Sequence, residues 1–161
     1  MFWILLMLLQ TAPTPQIGRG EALFFEDVKG CGTCHALKGR GTAVGPDLKG
    51  IGRLTPQAIA MAARSTAVQY VQNVKLKSGG SFPAMPGAKD EKIVQLWDLS
   101  KTPPELRKVE ASDVDSMTGT DKWKHPVVAA KYTDAQMADI VGYIRYAAAG
   151  NRKEVDPSEV R

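Results

Sequence analysis

Two thiols with two residues between them and an imidazole directly behind, Cys31-Gly32-Thr33-Cys34-His35, carry the most specific chemistry in this 161-residue chain. The spacing is that of covalent haem attachment: each sulfur adds across one vinyl group of a porphyrin, and the histidine is placed to bind the iron. Residues three and four apart share one face of a helical turn, so Cys31, Cys34 and His35 can address one macrocycle. Gly32 and Thr33 are small enough to let the ring press on the backbone. The chain holds no further cysteine and one further histidine, His125.

Two other readings of the pentapeptide exist. A redox dithiol uses the same thiol spacing but wants a βαβ context, and nothing ahead of Cys31 reads as a strand; it also leaves His35 idle. A structural zinc site has just enough donors in two cysteines and two histidines, yet adjacent Cys34 and His35 would have to reach neighbouring corners of a tetrahedron.

The elements that must hold these groups follow from hydrophobic spacing and turn residues. Residues 18–28 favour a short helix that delivers the chain to Cys31. After His35 comes a glycine-rich loop, 39–52, in which Gly45-Pro46-Asp47-Leu48 must turn. The Pro46 carbonyl is a natural acceptor for the second ring nitrogen of His35, fixing the ring's orientation and raising its basicity. Thr55-Pro56 signals the cap and first turn of a second helix reaching to about Val71. Residues 74–77 alternate, 78–81 turn, and 92–97 and 106–110 read as further strands, so 73–111 form a small antiparallel insert. Thr133-Asp134-Ala135-Gln136 is a capping-box pattern that opens a last helix closing at Ala149-Gly150. Residues 151–161 read as a charged, flexible tail.

A content of 43% hydrophobic and 24% charged residues in this length suits one globular domain with a real core. The formal net charge is +4. Lys29, Lys38, Arg40, Lys49 and Arg53 gather around the haem motif, where they would steer an acidic redox partner, although Glu26, Asp27 and Asp47 interrupt the run. With no nucleic-acid-binding motif and no aromatic interleaving, nucleic acid is not an expected partner. The apolar run over residues 1–9 is too short to span a bilayer, and residues 1–12 read as a secretory signal peptide or an N-terminal anchor, although no Lys or Arg precedes the run. A periplasmic or otherwise exported location agrees with covalent haem attachment.

In the order in which they occur, residues 20–25, Cys31 to His35, Gly45 to Leu48 and 138–146 resemble a class I c-type cytochrome, over a domain of residues 17–150. The resemblance implies a mainly α fold, the class I cytochrome c helical fold around one covalently attached haem c. Its first and last helices would cross at an aromatic-rich contact, and 73–111 would be a β insert like that of some larger bacterial members. It makes His35 the proximal iron ligand. It also places a methionine followed by proline, the sixth ligand, on a loop before the last helix, and here His125-Pro126 stands in that place. His125 is therefore the expected distal ligand and a bis-histidine iron the expected centre. Met85 and Met117 compete for the role, with Met85 read as a turn residue of the insert and Met61 as core packing. Trp123, Phe24 and Tyr132 are the expected wall residues. The implied function is one-electron transfer between periplasmic redox partners, at a lower potential than methionine ligation would give, and not catalysis. The alternatives are a haem peroxidase or gas-binding haem protein, or a cytochrome subunit of a dehydrogenase or membrane respiratory complex docked through its insert.

Overall fold

The computed structural model describes residues 12–65, 70–126 and 130–161. Within them lie three α-helices, α1 Pro15–Phe24, α2 Pro56–Arg64 and α3 Asp134–Ala149. Five strands accompany them: β1 Gln72–Leu76, β2 Ser81–Lys89, β3 Ile93–Asp98, β4 Glu105–Glu110 and β5 Val114–Gly119. The described fold is thus a mixed one, with a larger sheet than a mainly α reading expects. All but the last residue of the expected leader, 1–12, lies outside the described residues. Among those described, no helix is long and apolar enough to cross a membrane.

Each helix opens on a threonine whose hydroxyl accepts a hydrogen bond from a first-turn N–H: Thr14 from Ile17, Thr55 from Ala58, Thr133 from Gln136. Pro15 and Pro56 follow the caps, where a missing N–H costs nothing. The capping box of α3 is reciprocal, and Gly150 closes the helix in the left-handed region at φ 71°. The second helix is shorter than its sequence suggests, ending where Ser65 turns extended. Val71 instead leads into β1 and is buried.

Helices α1 and α3 pack through Ile17, Gly20 and Phe24, residues at one-face spacing. Gly20 is the point of contact: a Cβ there would lie 1.9 Å from the Asp139 carbonyl oxygen, so only glycine admits this approach. Arg19 spans the crossing with a two-pronged bond to Asp139, at 2.8 and 2.9 Å. One turn on, Phe24 meets Phe25 and Tyr143 at ring separations of 5.0 and 5.4 Å, the expected aromatic contact. Phe24 is spent there, in the helical core, and is not a wall of the cavity described below.

The sheet is antiparallel in the order β4-β3-β2-β1-β5. Strands β4 and β5 occupy opposite edges yet are joined by the single turn Ala111–Asp113. Flat, a sheet of this order would separate its edge strands by about 19 Å, at about 4.8 Å per pairing. A three-residue link closes that gap only if the sheet curls. It does so around its own apolar core, in which Val74, Phe82, Ala84, Val94, Leu96 and Val109 are buried. The expected insert, 73–111, therefore lacks one strand, β5, whose residues are half-buried or exposed and offer no apolar alternation. It also misassigns β2, in which Pro83 and Pro86 mimic a turn; the strand tolerates them with an irregular register between Pro86 and Lys89.

The expected flexible tail is also corrected. Residues 151–161 fold back over the helices and bury Val155 and Val160. The buried Gln16 side chain clamps the backbone of Val155 from both sides, donating to its carbonyl at 2.7 Å and accepting from its N–H at 2.8 Å. Arg64 donates to the Val160 carbonyl, and Asp134 takes both Arg64 and Arg161. Two buried valines alone contribute about 3–6 kcal/mol. Truncation after Gly150 is therefore expected to lower the unfolding free energy by about that amount, read from the urea midpoint.

Candidate functional site

Between the helical core and the curled sheet lies a cavity of about 540 Å³, within the size range of cofactor sites. One wall is helical, with Ile59 from α2 and Met137, Ile140 and Ile144 from α3. The facing wall comes from the sheet and its flanks, with Val71, Met85 and Leu99. Cys31, Cys34, His35 and His125 all line this one space.

The proximal side is built from a tight turn and a loop bound to it. The Cys31 carbonyl accepts the N–H groups of Cys34 and His35, at 3.1 and 2.8 Å, which closes Cys31–Thr33 into a single helical turn. Gly32 rests on the ring of Phe25, so the aromatic contact at the helix crossing also seats the haem motif. The following loop is laced back onto the turn: Thr42 donates to the Gly32 carbonyl, and Val44 and Gly45 both donate to that of Cys34. The His35 Nδ1 lies 2.8 Å from the Pro46 carbonyl oxygen. A carbonyl only accepts, so the proton sits on Nδ1 and the lone pair of Nε2 is left for a metal.

His125, Trp123 and Tyr132 come from the segment between β5 and α3 and line the same cavity. The His35 and His125 rings lie 6.1 Å apart, centroid to centroid, at 40°. Trp123 presents an edge to His125 at 6.2 Å, and the Tyr132 hydroxyl donates to the Lys29 carbonyl at 3.0 Å. Met85 lines the cavity from a strand and is no turn residue. Met117 lies in β5 opposite Val74, against the sheet core, and Met61 is exposed rather than packed. Sequence reasoning overlooked Met85 as a wall residue; its signal was alternation, since Phe82 and Ala84 point into the sheet core and Met85 falls between such positions.

Electrostatics separates the competing readings of the motif. Burial pushes the Cys31 thiol up to about 11 and raises that of Cys34 as well. Redox dithiols need the opposite, a stabilised thiolate, so these sulfurs are poor redox nucleophiles. Burial lowers the pKa of both imidazoles; the Pro46 bond partly opposes this at His35, while the nearness of His35 adds to it at His125. Both are therefore neutral, as ligation requires. Among the described residues no group of three or more His, Cys, Asp or Glu side chains is placed to hold a metal ion, which counts against a zinc cluster. An apolar cavity with two sulfurs, and a neutral imidazole on either side, fits a covalently held haem.

Much of the basic cluster is engaged locally. Lys29 pairs with Glu26, Lys38 sits 4.4 Å over the Tyr146 ring, and Arg40 bonds Glu21 while stacking 4.0 Å over Phe25.

A family model described as cytochrome c matches residues 17–101. This span takes in α1, the haem motif, α2 and the first three strands, including Met85; His125 and α3 lie beyond it. No curated protein matches the chain.

The proximal loop leaves no space at Gly45, where a Cβ would come within 2.5 Å of the His35 Cε1 and 2.9 Å of Nδ1. Gly45→Ala is expected to push the imidazole off the Pro46 carbonyl and cost about 1–3 kcal/mol, seen in urea unfolding and in a perturbed haem spectrum. Pro46→Ala keeps the accepting oxygen and should change the spectrum less.

Proposed function

The chain belongs to the cytochrome c family, and from that premise we propose that it carries one haem c and passes single electrons between redox proteins outside the cytoplasm. The haem supplies, when bound, the one-electron couple of its iron. The chain's own residues hold and tune it. Cys31 and Cys34 tether the porphyrin, His35 offers Nε2 from one side, and His125 offers its ring from the other.

The observation that carries this reading is the 6.1 Å between the two imidazoles that line one apolar cavity. Metal–imidazole bonds of about 2 Å on each side, extended by the depth of each ring, span about 6 Å. Two nitrogen ligands need not rearrange when an electron arrives or leaves, and they set the potential lower than a methionine would. The enclosing aliphatic side chains of α2, α3 and β2 keep water from the iron. A small recess beside Cys31 and Cys34 is lined by Lys29 and Lys101, which suits an acidic partner at the haem edge. The subunit reading draws no support from the insert: among its described residues, Leu106 is the one large hydrophobic side chain that is exposed.

A second reading has Met85 as the sixth ligand, favoured by its place on the cavity wall and within the matched segment. Two substitutions decide between them. His125→Ala is expected to abolish the low-spin ferric signature in near-infrared magnetic circular dichroism, while Met85→Ala leaves it in place. A methionine-to-iron charge-transfer band in the wild type, lost in Met85→Ala, would reverse the assignment. Protein matured by a host that attaches haem should weigh one haem more than its polypeptide, and a mass without that increment would end the carrier reading.

A further inference from the structure

The two imidazoles are held very unequally. The His35 ring is bonded to the Pro46 carbonyl, its backbone N–H to the Cys31 carbonyl, and Gly45 leaves it no room to swing. On His125, Nδ1 is sealed from solvent and has no hydrogen-bond partner among the described residues. Its ring neighbours are aromatic: His35 across the cavity and the edge of Trp123. A ligating histidine ordinarily donates its second N–H to a carboxylate, carbonyl or water, which fixes the ring and raises its basicity. Binding a metal through Nε2 puts the His125 proton on Nδ1, where that N–H stays orphaned. Departure of the ring from the metal relieves the cost, and no described residue holds Nδ1 against it.

A second observation lies next to it. The small recess that Lys29 and Lys101 line beside the haem motif, of about 60 Å³, is also lined by Cys34, His35, Trp123 and His125. That exceeds the about 10–15 Å³ a cavity needs to hold one water, so the recess admits a molecule of diatomic size.

We propose that His125 is an exchangeable distal ligand, which yields its position in the ferrous protein to a small neutral diatomic of the carbon monoxide or nitric oxide class while His35 stays bound. The inference rests on the reading that His35 and His125 hold one iron between them. The exchange breaks one iron–nitrogen bond as His125 leaves with its lone pair, and the incoming molecule supplies the pair for the bond that replaces it. No electron is transferred and no co-reactant is needed.

Carbon monoxide titration of the ferrous holoprotein tests this, alongside His125→Ala. The wild type is expected to bind carbon monoxide at a rate that levels off with concentration, because His125 must depart first. In His125→Ala the rate should rise in proportion throughout. With the open form populated at about 0.1–10%, the wild type should bind about 10- to 1,000-fold more weakly than the variant. Resonance Raman spectra of both adducts should keep the signature of a trans imidazole from His35. A wild type that loses its low-spin spectrum on His125→Ala substitution yet takes up no carbon monoxide overturns the inference and leaves the ligand reading standing. A His125→Ala spectrum identical to the wild type overturns both. Loss of the trans imidazole signature overturns the inference, since His35 would then be the ligand that leaves. The saturating rate is measured on the wild type alone, so it decides the matter even where the variant does not fold.

Discussion

Backbone meets backbone where α1 crosses α3, because Gly20 brings no side chain to the contact with Asp139. The consequences run outward in order. The close crossing stacks Phe24 and Phe25 on Tyr143, and Phe25 in turn forms the seat of Gly32 in the haem motif. The motif's carbonyls then fasten the loop that carries Gly45 and Pro46, and the Pro46 carbonyl sets the proton on His35. The tautomer of His35 is thus fixed at the end of a chain of contacts that begins with a missing methyl group between two helices. The Arg19–Asp139 fork and the Gln16 clamp on Val155 hold the same crossing from its flanks.

The opposite half of the cavity follows other rules. Its walls come from a sheet with a separate apolar core and from an irregular segment on the way to α3. One side of the site is therefore rigid through packing and hydrogen bonds, whereas the other depends on aromatic contacts around a single imidazole. On the proposed reading, such an arrangement separates two tasks: the half around His35 would hold the cofactor and the half around His125 would set its potential and access. Neutral, half-buried imidazoles and thiols with raised pKa values suit a site that coordinates and encloses more than one that activates nucleophiles.

What could be read from the residues alone were features written in local chemistry. The capping box at Thr133, the stop at Gly150, the threonine–proline start of α2 and the acceptor role of Pro46 each need only neighbours along the chain. What escaped depends on distant partners. The prolines of β2 signal a turn unless β1 and β3 pair on either side, and β5 has no buried face to announce it. Val155 and Val160 look like strays in a charged tail until Gln16, more than a hundred residues earlier, clamps Val155 and Arg64 bonds the Val160 carbonyl. Likewise Met85 gains its place on the cavity wall only once the sheet curls and turns its outer face to the helices.

Gln72 and Gly119, the first and last residues of the sheet, stand opposite each other in the pairing of β1 with β5. To the helical shell, the whole sheet is therefore attached at one point, as a short hairpin would be. Its apolar core is its own, and it meets the helices across the cavity, where β2 supplies Met85 to the wall. Because only Thr120, Asp121 and Lys122 separate Gly119 from Trp123, the end of the sheet also sets where Trp123 and His125 enter the cavity.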